Sequence, residues 1–169
     1  KANALLFDGN GSTHTSAMGA TLIARLAAQL MQKAGILTEN INLTSDFSVN
    51  PSTVDLGQAY KGQTVVREVS VNGFDLVPSE GNVSITASNG LKISADGSDY
   101  SSTATLTYKE GNLIGSFKTS YEFATAGDIN ESITVSCGDN TVTIPVVGKC
   151  VELADGVAAS AYWRLEKDD

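Results

Sequence analysis

The stretch SITVSCGDNTVTIPVVGKC, residues 132–150, decides how the chain folds. Ile133, Val135 and Cys137 alternate with Thr134 and Ser136, a period of two that only an extended strand converts into one apolar face. Gly138, Asp139 and Asn140 interrupt the alternation as a turn, and residues 141–147 resume it, so the segment reads as a hairpin with Cys137 facing about Thr141. Pro145 has no N–H to give a ladder, which predicts an edge strand or a bulge there. Cys150 falls roughly nine residues beyond the turn partner, about 30 Å away at strand rise. A disulfide needs Cα atoms within about 7 Å. Both cysteines are therefore expected as free thiols, with Cys137 packed as a small hydrophobe beside Ile133 and Val135.

The same period runs through most of the chain upstream. It starts at DFSVNPSTVDLG (46–57) and continues in TVVREVSVNG (64–73), which alternates around Val69 and Val71 and closes on the turn pair Asn72-Gly73. NVSITASNG (82–90) puts Val83 and Ile85 on one face. LKISADG (91–97) is short and ends at Asp96-Gly97, while STATLTYKEGN (102–112) directs Ala104 and Leu106 one way and turns at Gly111-Asn112. SFKTSYEFATAG (116–127) is a longer strand around Phe117, Ser120 and Tyr121. About seven short strands with no helix between them predict an antiparallel β-sandwich over 46–151.

One segment breaks the pattern. Over residues 16–35 Met18, Leu22, Leu26 and Leu30 recur every fourth position, with Ile23, Ala27 and Ala34 beside them, the stripe of an amphipathic helix. Thr15 or Ser16 can cap its N-terminus and Gly35 stops it. That apolar face is expected to be buried, by docking on the sandwich or by pairing with another chain, because soluble proteins rarely leave such a patch in water.

Composition narrows the function classes. The chain has 169 residues, a net charge of −8 and 41% hydrophobic residues, so a packed core is expected and phosphate-rich partners are disfavoured. Nucleic acid is not an expected partner. No apolar run reaches the length of a membrane span. The opening KANALLFDGN has none of the features of a signal peptide and reads as the start of a slice from a longer chain. One histidine and two cysteines allow no zinc site of usual spacing, and Asp96, Asp99 and Asp128 read as solvated turn acids, so neither a metal nor a cofactor is expected.

Two resemblances add to this reading. FDGNGSTHTSAMGATLIARL (7–26) resembles the closing block of SGNH (GDSL-like) hydrolases of the rhamnogalacturonan acetylesterase-like branch, with His14, Thr15, Ser16, Gly19 and Ala20 in the family's order. The resemblance implies that His14 is a general base, oriented by an acid. The family sets that acid three residues before the histidine. Here that position is Gly11, and the nearest acid is Asp8, six residues before. The nucleophile block and the oxyanion donors have no counterpart: DGSDY (96–100) carries similar letters in another order inside a turn. Any catalytic role of His14 and Asp8 thus belongs to a complete parent protein. VNPSTVDLGQAYKGQTVVREVSVNG (49–73), with Gly57 and Gly62 at turns, is similar to immunoglobulin-like modules of bacterial surface and carbohydrate-active proteins. AYWRLEKDD (161–169) looks like the opening of a further domain in pectin-degrading proteins.

The expected organisation is a hydrolase tail (1–37), a connector (38–45), an immunoglobulin-like sandwich (46–151) and a linker that starts another domain (152–169). The expected function is a non-catalytic spacer or interaction module of a multidomain, pectin-active protein. Its implied location is secreted, periplasmic or on the cell surface. The expected partners are neighbouring domains of the parent and plant polysaccharide, with self-association through the helix. Two alternatives differ in class. The sandwich could bind carbohydrate through Tyr60, Tyr100, Tyr108 and Tyr121, or the chain could be an inactive part of an acetylesterase.

Overall fold

The computed structural model of the chain describes residues 17–36, 39, 41 and 43–152. It divides into two compact units that meet in sequence between Ser45 and Asp46.

Among the described residues of the first unit there is one α-helix, α1 (Ala17–Lys33), two residues shorter at its C-terminal end than its sequence pattern suggests. Its end is a Schellman closure. Ile36 N–H donates to Met31 C=O at 2.9 Å, Gly35 N–H donates to Gln32 C=O at 3.0 Å, and Gly35 takes the left-handed φ of 72° that this closure requires. The connector folds back along the polar side of α1. Arg25 donates to the Thr44 carbonyl at 2.5 Å and Gln32 to the Ile41 carbonyl at 2.9 Å. Those bonds turn Arg25 and Gln32 toward the chain and leave the opposite stripe outward. Ile23, Leu26 and Leu30 are 56%, 47% and 66% exposed, and Leu22 is half-buried. Among the described residues nothing covers these three side chains, and the pairing with another chain expected as one alternative is a contact between molecules; the Met18 side chain lies outside the description.

The described residues of the second unit form a two-sheet sandwich of nine strands, two more than the sequence suggests. The strands are β1 (Asp46–Asn50), β2 (Val54–Tyr60), β3 (Thr64–Phe74), β4 (Gly81–Ala87), β5 (Leu91–Ser94), β6 (Thr103–Tyr108), β7 (Leu113–Glu122), β8 (Gly127–Cys137) and β9 (Asn140–Val151). One sheet has the order β1-β3-β7-β5 and the other β2-β9-β8-β4-β6. The alternating residues of the two inner faces form one core, which includes Val69, Val71, Val83, Ile85, Phe117, Ile133, Val135 and Ile144. Ala104 and Leu106 pack against it from β6, as the alternation in that strand predicts.

Pairing is antiparallel throughout the sandwich except between β2 and β9, which run parallel. β1 pairs with β3 in the other sheet, so the first extended segment crosses between sheets at 51–53. β2 also carries a bulge. From Asp55 to Gln58 it advances three positions while β9 advances two, from Val147 to Lys149. Gly57 occupies this bulge at a φ of 73°, not a turn as the sequence suggests. Arg67 fixes the bulge from β3, donating to the Asp55 carbonyl at 2.9 Å and to the Leu56 carbonyl at 3.1 Å.

Two more expectations are corrected. Asn72-Gly73 is not a turn. Both residues sit inside β3 between β1 and β7, and the chain turns afterwards at Asp75, which has a φ of 51°. Pro145 is neither on an edge strand nor at a bulge of its own strand, because β9 lies between β2 and β8 and its register with β8 is unbroken. Its missing N–H is tolerated for a local reason. The β8–β9 turn is two residues long, with Gly138 at a φ of 57°, and Cys137 pairs with Asn140. Hydrogen-bonded pairs alternate from there, so Pro145 faces Ser132 in a non-bonded pair. Its nitrogen points to the side where β2 begins to pair only at Val146.

The register also fixes where the chain enters and leaves the sandwich. Asp46 pairs with Phe74, at one end of β3. Val151 pairs with Tyr60, and its carbonyl accepts from Lys61 N–H at 3.2 Å, close to the opposite end of β3. The eleven residues of β3 span about 33 Å at strand rise. Entry and exit are at opposite poles.

Candidate functional site

The four tyrosines proposed for sugar stacking do not form a platform. Tyr108 is 5% exposed and belongs to the core. Burial, and then a hydrogen bond with Cys137, push its phenol above the usual tyrosine range. A Cβ on Gly81 would lie 2.7 Å from its hydroxyl, so the glycine across the β4–β6 ladder makes room for the ring. Tyr121 is half-buried and meets Phe123 edge-on, with centroids 5.4 Å apart and planes at 88°. Its phenol is also pushed up, by burial first and then by the charge of Glu131. That leaves exposed Tyr60 on β2 and half-buried Tyr100 beside β6. These strands are opposite edges of the five-stranded sheet, about 19 Å apart at four interstrand spacings. Two rings so placed cannot hold one short glycan between them.

The loop from β5 to β6 forms an open hollow of about 290 Å³. Asp96, Asp99 and Tyr100 line it from the loop, and Thr103, Ala104 and Thr105 line it from β6. Asp96 is not a free acid. Its Oδ1 accepts from Ser98 N–H at 2.8 Å, from the Ser94 hydroxyl at 2.8 Å and from Asp99 N–H at 3.2 Å. The Ser98 amide foremost, followed by the Ser94 and Ser98 hydroxyls and the Asp99 amide, holds its carboxyl well below the usual carboxylate range. Asp96 thus stays ionised and pins the loop, with Gly97 at a φ of 84° completing the turn. Asp128 is elsewhere, on β8 opposite Lys149. Among the described residues no three His, Cys, Asp or Glu side chains gather as metal ligands.

Cys137 and Cys150 are both buried and free. Cys150 pairs with Gly127, at the far end of the strand that ends in Cys137, which is about 34 Å at strand rise. The partner of Cys137 is Asn140, one residue nearer the turn than the sequence suggests, and the conclusion on the disulfide is unaffected. Titration with a thiol reagent is expected to find almost no reaction in the native protein and two thiols per chain after denaturation. A denatured count of zero in a monomer would contradict this register. His14 and Asp8 lie outside the described residues.

No family model matches the sequence, and no curated protein does. Solved structures do resemble it. A family 123 glycoside hydrolase from Clostridium perfringens aligns at 14% identity and a TM-score of 0.49, over 68% of this chain and 28% of that one. Domains 4 and 5 of the S-layer protein SbsC align at 18% identity and 0.36, over 65% and 54%. A CARDB domain from Pyrococcus furiosus aligns at 14% and 0.39, over 65% and 98%. The chain spans little more than a quarter of that glycoside hydrolase. No described helix is long and apolar enough to cross a membrane.

Proposed function

We propose that the sandwich is a non-catalytic, immunoglobulin-like spacer within a larger extracellular or cell-surface protein that acts on carbohydrate. The observation that carries this reading is the placement of entry and exit at opposite poles. A module that receives the chain at Asp46 and releases it beside Tyr60 sets its flanking segments about 33 Å apart, a full strand length. The continuous core supports the same role, because a spacer needs stiffness more than a cleft. The carbohydrate context comes from the resemblance of the His14 segment to SGNH hydrolases. In this reading residues 1–37 are the tail of an esterase-like domain, and His14 and Asp8 serve catalysis only in the complete parent.

Affinity electrophoresis in gels with and without pectin tests the spacer reading against carbohydrate binding. The 169-residue chain is expected to migrate equally in both. Retardation in pectin that disappears with Tyr100→Ala would overturn the spacer reading in favour of a sugar site at the hollow. The chain is also expected to hydrolyse p-nitrophenyl acetate and acetylated pectin no faster than its His14→Ala variant. A lone base supplies about 10²–10⁴-fold, and only when aimed at a reacting group.

A further inference from the structure

The sandwich has four edge strands, and three of them are defended against pairing with another chain. β1 is five residues long, begins at Asp46 and runs into Pro51. β2 carries the Gly57 bulge and Asp55. β5 is four residues long and carries Lys92. Short length, charge, proline and bulges are the usual ways in which proteins blunt an edge. β6, with the sequence TATLTY, has none of them: it is six residues long, uncharged, rich in β-formers, and its register with β4 is unbroken.

The direction of its backbone groups follows from one bond. Ala87 N–H donates to the Ser102 carbonyl at 2.8 Å, which marks that facing pair as hydrogen-bonded. Pairs alternate along an antiparallel ladder, so Ala104, Leu106 and Tyr108 point their N–H and C=O groups at β4, and Thr103, Thr105 and Thr107 point theirs outward. Thr103 is already satisfied: the Ser101 hydroxyl accepts from its N–H at 3.2 Å and donates to its carbonyl. The Lys109 carbonyl accepts from Asn112 N–H at 3.0 Å. Among the described residues the open groups are therefore those of Thr105 and Thr107, both exposed.

We propose that β6 is a self-association edge, on which a second copy of this chain adds its own β6 antiparallel about a two-fold axis at Leu106. That register faces Thr105 of each copy with Thr107 of the other, so the open donors and acceptors satisfy one another. Shifting it by two residues either way brings Thr103 or Lys109 opposite an open residue, and both are already engaged. Charge favours the same register. Continued along the strand, it sets Lys109 of one copy opposite Thr103 of the other, at the hollow that holds Asp96 and Asp99. The two-fold repeats this lysine–aspartate complementarity at both ends. One strand pair buries far less than the ~1,200 Å² of a stable interface, so the dimer is weak and forms at high concentration or where many copies share a surface.

Sedimentation velocity of the 169-residue chain from low micromolar to millimolar concentration tests this. The wild-type chain is expected to move from monomer to dimer across that range. Thr105→Pro removes an outward N–H that the fold itself does not use, and is expected to stay monomeric with an unchanged circular dichroism spectrum. Lys109→Glu is expected to weaken association by roughly tenfold, since two lysine–aspartate pairs become repulsive at once. Adding Asp99→Lys to it should restore the affinity. A wild-type chain that remains monomeric throughout overturns the proposal. So does a dimer that survives Thr105→Pro, or one lost with Leu26→Asp while Thr105→Pro leaves it intact, which would move the contact to α1.

Discussion

Phe117→Ala is expected to destabilise the sandwich by about 3–5 kcal/mol, the usual cost of emptying a packed aromatic site. Phe117 is 1% exposed and projects from the middle of β7 into the space between the sheets. β7 cannot move in to fill the void. It is laddered to β3 over an unbroken register from Thr64–Glu122 to Gly73–Leu113, and to β5 on its other side. The lining therefore keeps its position and loses its contacts on one side. Against a total stability of roughly 5–15 kcal/mol for a domain, this single change removes a large share of the folding free energy. Urea denaturation followed by tryptophan-independent circular dichroism measures it. Val66→Ala on the same sheet, with Val66 44% exposed, is the control and should cost no more than about 0.5 kcal/mol. A Phe117→Ala loss as small as that of the control would contradict the packed interior assigned here.

The strand that carries Phe117 was legible in the sequence, though not which of its side chains face inward, and elsewhere period-two alternation reports which side chains share a face. That signal put Val83 with Ile85 and Ile133 with Val135, and all four are at most 1% exposed. Alternation is silent about which strands become neighbours. The parallel contact of β2 with β9 joins residues some ninety positions apart, and no local pattern encodes it. Pro145 shows the consequence. Its chemistry was read correctly as incompatible with a ladder on one side, but the side is set by where β2 starts, at Val54. Asn72-Gly73 misleads for the opposite reason. The dipeptide favours turns locally, yet Gly73 is small because a Cβ there would come within 2.5 Å of the Leu76 side chain. The helix was found from its stripe, but its orientation depends on Arg25 and Gln32 reaching connector carbonyls, which apolar periodicity does not report. At the surface, the tyrosines were visible as letters, while their separation on opposite sheet edges is a property of strand order. The open edge at β6 was equally hidden. Thr, Ala and Leu in alternation describe any half-buried strand until the sheet order makes it the last one.

Thr119→Val is expected to stabilise the protein, by roughly 1–3 kcal/mol, the desolvation cost of a buried hydroxyl left without a partner. Thr119 shares the inward parity of Phe117 on β7, between Arg67 of β3 and Ile93 of β5, and is 0% exposed. Its Oγ1 is buried with no hydrogen-bond partner. Valine keeps the β-branched shape that suits the strand and replaces that oxygen with a methyl group of similar size. The net change is the removal of an unsatisfied polar atom from the core, without a cavity. For a sandwich of this length each kcal/mol raises the melting midpoint by about 4–8 °C, so the effect is measurable in a single thermal scan. Thr119→Ser separates the contributions of the two branches. It keeps the orphan hydroxyl, deletes the methyl, and is expected to melt below the wild type. A Thr119→Val variant that melts at or below the wild type would show that the hydroxyl is satisfied in solution. The simplest partner would then be a buried water, held in the core beside Ile93.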